Sequence, residues 1–173
     1  MTDDARIADL RRRVQQDPAS IAFAQLAEEY RRTGHHAEAV DTCRAGLAIH
    51  PEYLSARVTL GRALLALGRL DDAVVELRLA LATAPENLAA TRALAEAYFR
   101  KGQLADALTY YTNACRLAPN DPDLDRSVRD VRARLDELSV DAVAAERARA
   151  RRTVAALERW LEAIHATRTR QHP

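Results

Sequence analysis

Apolar residues recur along this chain at helical spacing, in blocks that repeat. Phe23, Leu26, Ala27 and Tyr30 fall at i, i+3, i+4 and i+7, one face of a helix. Leu60, Gly61 and Leu64 repeat that face 34 residues on, and Leu94, Ala95 and Tyr98 repeat it again. A second face follows each first one: Ala39, Cys43, Gly46 and Leu47, then Ala73, Leu77, Ala80 and Leu81, then Ala107, Tyr111 and Ala114. Gly34, Gly68 and Gly102 separate the two faces, and Pro51, Pro85 and Pro119 close each block. Glycine ends a helix where a left-handed residue is wanted, and proline stops one from continuing. The pattern predicts three antiparallel helical hairpins over 20–53, 54–87 and 88–121. Small residues at Ala27, Gly61 and Ala95, and at Ala39, Ala73 and Ala107, let the paired helices approach closely. No hairpin buries both its faces alone, so the stack is the stable unit.

Two further patterns flank the hairpins. Ile7, Leu10 and Val14 make one face of a helix over 3–16, with Thr2 as its cap, so 1–17 reads as an N-terminal capping helix. Asp17-Pro18 and Asp121-Pro122 each read as a cap followed by a first-turn proline. Leu124, Val128, Val131, Leu135 and Leu138 stripe residues 122–138, opposite a charged face, as a capping helix or a degenerate fourth repeat would be. Ser139 and Asp141 then read as the start of a separate long helix within 139–173, ending in a basic, frayed tail. In it Val140, Val143, Ala150, Val154, Leu157, Leu161 and Ile164 keep a heptad spacing that Arg147 interrupts, and Trp160 flanks the seam.

The hairpin pattern resembles the tetratricopeptide repeat (TPR) family in repeat length, small residues, tyrosines, glycine and closing proline. The resemblance implies an all-α fold, a right-handed α-solenoid of antiparallel helix hairpins. The family's preferred tryptophan is replaced by Phe23, Arg57 and Thr91, which implies weaker packing at the hairpin starts. It also implies a non-enzymatic scaffold or adaptor that takes a peptide or helix of another protein in a concave groove lined by the first helix of each hairpin. Carried over by position, that groove holds Glu28 and Arg31, then Val58, Arg62 and Leu65, then Arg92, Glu96 and Phe99. Its arginines, two glutamates and apolar residues suit a segment with acidic and hydrophobic side chains. The positions where one subfamily clamps heat-shock chaperone tails hold Ala24, Glu28, Thr59, Ala89 and Ala93, so such a tail is not the expected partner. The C-terminal helix offers a second surface in Val154, Leu157, Trp160, Leu161 and Ile164, for a partner or for a second copy. A dimerising module or a secretion-type chaperone is the alternative reading.

Composition narrows the field without naming the partner. The 173 residues are 48% hydrophobic and only 5% aromatic, with net charge +1. Seven arginines against Glu146, Glu158 and Glu162 leave residues 146–173 at +4 and the remainder at −3. With so few aromatics for stacking, nucleic acid is not the expected partner. Lys101 is the only lysine, as base composition in a GC-rich genome would produce, and the expected source is bacterial. Met1-Thr2-Asp3-Asp4 begins no secretory signal, no run of 18 apolar residues exists to span a membrane, and the expected location is the cytoplasm. Cys43 and Cys115 lie 72 residues apart, at positions where other repeats carry leucine, and read as buried, unpaired thiols. His35-His36 sits in a turn without the further ligands a metal needs. No nucleophile motif or glycine-rich phosphate loop occurs, and neither catalysis, a cofactor nor a metal is expected.

Overall fold

The structure, a computed structural model, describes the backbone of residues 3–170 and the side chains of 3–161. Thr2 lies outside the described residues, as does the side chain of Ile164. Eight helices and no strand occur among the described residues: α1 Asp3–Gln16, α2 Ala22–Arg32, α3 His36–Ile49, α4 Leu54–Ala66, α5 Leu70–Thr83, α6 Leu88–Arg100, α7 Leu104–Leu117 and α8 Pro122–Arg170. Contacts divide the chain into two units, residues 1–131 and 132–173.

In the first unit the helices pair as α2/α3, α4/α5 and α6/α7 and stack through α3 on α4 and α5 on α6. The first helices of successive hairpins also touch, α2 against α4 and α4 against α6. Each hairpin turns at its glycine: Gly34, Gly68 and Gly102 have φ of 84°, 77° and 75°, left-handed values that side chains resist. The residue after each glycine reaches back to the last turn, His35 N to Tyr30 O at 2.8 Å, Arg69 N to Leu64 O at 2.9 Å and Gln103 N to Tyr98 O at 2.9 Å. These bonds satisfy carbonyls the helix end would leave open. Ala39, Ala73 and Ala107 are fully buried at the hairpin contacts, with Leu64, Leu77 and Leu94 filling the space between them.

The hairpin starts are better packed than the missing tryptophan implied. Phe23 is 1% exposed; its ring lies parallel to the His50 ring at 6.0 Å and tilted on Tyr53 at 5.6 Å. Arg57 donates to Glu76 at 2.8 Å and to the Pro51 carbonyl at 2.6 Å, so it ties its own helix α4 to α5 and to the preceding turn. Thr91 is buried and donates to Asn87 O at 2.9 Å.

Helix α1 seats Ile7 and Leu10 in the core against α2. Polar contacts fix it further: Arg11 donates to the Tyr30 hydroxyl at 2.7 Å, Arg6 pairs with Glu29 at 3.1 Å, and Asp3 pairs with Arg32. Pro18 does not begin α2. Asp17 accepts from Ala19 N at 3.1 Å and Ser20 from Ala22 N at 3.3 Å, making a turn that delays the helix to Ala22. Asp121 does cap α8, accepting from Asp123 N at 2.9 Å and Leu124 N at 3.3 Å, with Pro122 first in the helix.

α8 corrects the sequence expectation of two helices. It runs from Pro122 to Arg170 without a break at Ser139. After Pro122 no glycine or proline lies inside that span, and its many alanines, leucines, arginines and glutamates favour helix. The Ser139 hydroxyl donates to Asp136 O at 2.7 Å within the helix rather than capping a new one. A fourth hairpin would need a turn near Asp136, and none occurs. Leu124, Val128 and Val131 are buried in the first unit. In the second unit, every side chain from 132 to 161 is exposed except half-buried Leu135. No described helix is long and apolar enough to cross a membrane.

Candidate partner-binding groove

The repeat period places groove residues in rows. Glu28, Arg62 and Glu96 share one register position on α2, α4 and α6; Ala24, Val58 and Arg92 share a second; Arg31, Leu65 and Phe99 share a third. Because α2 touches α4 and α4 touches α6, each row runs across adjoining helices. Two cavities open along these helices. One of about 450 Å³ is lined by Gln25, Glu28, Val58, Thr59 and Arg62, and the other, of about 590 Å³, by Arg31, Arg62, Leu65, Arg92, Glu96 and Arg100. Arg62 and Ala89 line both, so the cavities adjoin.

Seven of the eight expected groove residues come together here. Phe99 is the exception: it is half-buried and lines neither cavity. Val58 and Leu65 are 6% and 5% exposed, so they form the floor and offer a partner little area. Several contributors to the first cavity lie outside these rows, among them Arg6 from α1, Glu29, Tyr53 and Asn87. Asn87 carries a readable signal as the N-cap of α6, accepting from Ala90 N at 2.9 Å. Arg6 has no counterpart in the repeats and only its contact with Glu29 places it.

The charges form a connected set. Arg31 grips Glu28 through two bonds, Nε to Oε2 at 2.9 Å and Nη2 to Oε1 at 2.6 Å, and the Thr59 hydroxyl donates to the same carboxylate at 3.1 Å. The Arg31 contact holds the Glu28 carboxyl below its ordinary pKa and raises that of Arg31. Arg62 sits 3.8 Å from Glu28, whose oxygens Arg31 and Thr59 already engage. Partial burial lowers the Arg62 pKa, the neighbouring Arg31 and Arg92 cations add to that effect, and Glu28 and Glu96 oppose it. Arg92 reaches Asp121 at 3.7 Å, and Arg100 donates to the Leu65 carbonyl at 2.6 Å. The second cavity thus gathers four arginines around one glutamate, Glu96. A half-buried cation crowded by other cations favours an added anion.

The thiols stand apart from this chemistry. Burial pushes the Cys43 thiol up to about 12, as its apolar setting predicts. Cys115, expected to be buried, is only partly so, with its sulfur 3.8 Å from Asp125. No group of three or more His, Cys, Asp or Glu residues able to hold a metal occurs among the described residues.

A stack of helical hairpins with charged side chains along its first helices defines a helical repeat scaffold. Two models of the tetratricopeptide repeat match, over residues 30–82 and 58–122, and the chain belongs to the TPR family. That family is generally a non-catalytic protein-interaction fold. No curated protein matches the sequence. Among solved structures the chain is similar to MamA from Desulfovibrio magneticus RS-1, at 20% identity and TM-score 0.73, covering 81% of this chain and 80% of that one. It is similar to a thermophilic TPR protein of Thermus thermophilus, at 26% identity and TM-score 0.61, covering 72% and 70%. It is also similar to the first TPR domain of RPAP3 in complex with the HSP90 peptide SRMEEVD, at 20% identity and TM-score 0.66, covering 69% and 94%.

Proposed function

We propose that this protein is a cytoplasmic adaptor whose groove over α2, α4 and α6 receives a short segment of a partner protein carrying acidic and apolar side chains. The observation that carries this reading is Arg62. It stands where the two cavities join, flanked by Arg31 and Arg92, and its nearby carboxylate, Glu28, is already bound by other donors. An incoming Asp or Glu gives Arg62 a bidentate partner, while apolar neighbours of that acid lie over the little-exposed floor that Val58 and Leu65 make. A heat-shock chaperone tail is not the proposed ligand. The RPAP3 domain is bound to SRMEEVD, but here the clamp positions implied by the resemblance hold Ala24, Glu28, Thr59, Ala89 and Ala93.

Peptide display on the immobilised full chain tests the reading. Enriched peptides are expected to combine an acid with apolar residues, and Arg62→Glu is expected to abolish the enrichment. Enrichment of basic peptides, or an identical pool on the Arg62→Glu protein, counts against the groove as the site.

A further inference from the structure

The second unit carries a surface that the groove does not use. Between 132 and 161 the exposed apolar side chains include Val140 at 66%, Val143 at 47%, Val154 at 53%, Leu157 at 54% and Leu161 at 47%. Their spacing is a regular 3-4 alternation: 140, 143, 147, 150, 154, 157, 161. It does not continue the buried stripe of Leu124, Val128 and Val131. That stripe would run on to Ala142, Ala145, Arg149 and Arg152, two residues out of phase with the new one. The new seam extends in sequence to Ile164, which gives more than three heptads, the length at which a repeat of this kind specifies a supercoiled partner helix.

We infer that residues 140–164 form a parallel, in-register two-stranded coiled coil with a second copy of this chain. Three features of the heptad identify the occupant. With Val140 assigned to position a, the a layers hold Val140, Arg147, Val154 and Leu161 and the d layers hold Val143, Ala150, Leu157 and Ile164. Valine at a with leucine at d, as at Val154 and Leu157, favours two strands, against the preference of the terminal Leu161 and Ile164 pair for more. In the parallel pairing each flanking g residue meets the e residue five positions on in the other copy. Glu146 then faces Arg151 on both sides of the dimer, and no like charges meet at these positions. The antiparallel alignment that uses the same seam sets Arg151 against Arg151 and leaves Glu146 opposite Trp160, so the two Glu146–Arg151 pairs form only in the parallel dimer. Arg147, alone among polar residues at a, meets its own copy there. A single polar a residue costs stability and fixes register.

Sedimentation equilibrium of the full chain reads the inference. A reversible monomer–dimer equilibrium is expected. Leu157→Glu is expected to raise the dissociation constant at least about tenfold, since it puts a charge in a d layer. The position is exposed, so the hairpins fold regardless. Glu146→Arg and Arg151→Glu are each expected to weaken the dimer, and the two together to restore it. Val154→Cys in a Cys115→Ser background is expected to cross-link to itself on mild oxidation, because Val154 meets Val154 only in the parallel form. A monomer at every concentration overturns the inference, as does a dimer indifferent to Leu157→Glu. A dimer without the Val154→Cys cross-link overturns the parallel arrangement.

Discussion

Gly46 lies under the ring that replaces the family's tryptophan, and substituting it tests how the first hairpin is held. A Cβ built at Gly46 falls 2.0, 2.2 and 2.3 Å from Cδ2, Cε2 and Cγ of Phe23. The ring has nowhere to go: it is 1% exposed and bounded by His50, Tyr53 and Ala56. Alanine in place of a helical glycine gains about 1 kcal/mol of helix propensity. Overpacking of a filled core costs about 1–3 kcal/mol, and contact with three atoms of a confined ring argues for the upper end. Gly46→Ala is therefore expected to lose about 2 kcal/mol, a drop of about 4–8 °C in Tm for a chain of this size. Phe23→Ala alone is expected to cost about 3–5 kcal/mol. In that background the methyl group meets a void, so Gly46→Ala becomes stabilising by up to about 1 kcal/mol. The double-mutant cycle then shows a coupling of about 3 kcal/mol. Thermal and urea unfolding followed by circular dichroism measures all four proteins. A Gly46→Ala protein more stable than the parent, or additive effects across the cycle, would mean that the Phe23 ring does not confine position 46.

Other outcomes follow from the same contacts. Glu28 has a folded pKa below its ordinary value of 4.5, so its contribution is complete above that value and is lost as pH falls through the lowered folded pKa. Glu28→Gln is expected to lower stability at pH 7 by less than about 1 kcal/mol, because the side chain is 39% exposed, with the difference from the parent narrowing as pH falls below 4.5 in urea titrations. In native protein, Cys115 is expected to react with iodoacetamide at mildly alkaline pH while Cys43, buried with its thiol near 12, reacts only after urea is added; mass spectrometry of the two peptides reads the order. The peptide SRMEEVD is expected to give no measurable heat on titration into this protein, and micromolar binding would reinstate the chaperone tail as a ligand.

The register of the hairpins was legible because each part of it has a separate chemical signal. Glycine is needed at the left-handed turns, proline at the helix ends and alanine at the close contacts, and all recur together. The rows of groove residues follow from that register without further information. What was not legible depends on single contacts. Arg6 enters the groove through one ion pair with Glu29, and Ser20 shifts the start of α2 by one hydroxyl bond. The floor positions of Val58 and Leu65 depend on how closely α4 packs on its neighbours, which periodicity does not measure. The expected break at Ser139 rests on the cap residues Ser139 and Asp141, at the point where the second helix of a fourth hairpin would begin. A helix can carry two stripes out of phase on one backbone, and capping side chains do not interrupt it where no proline or glycine removes a backbone bond.

The groove over α2, α4 and α6 is proposed to take an acidic, apolar segment with Arg62 as its anchor. Amide chemical-shift mapping of the full chain with a display-selected acidic peptide tests it most directly. Perturbations are expected to concentrate on α2, α4 and α6 around Glu28, Arg62 and Glu96, and to be lost in the Arg62→Glu protein. Perturbations confined to α3, α5 and α7 or to residues 132–161, and unchanged by Arg62→Glu, would contradict it.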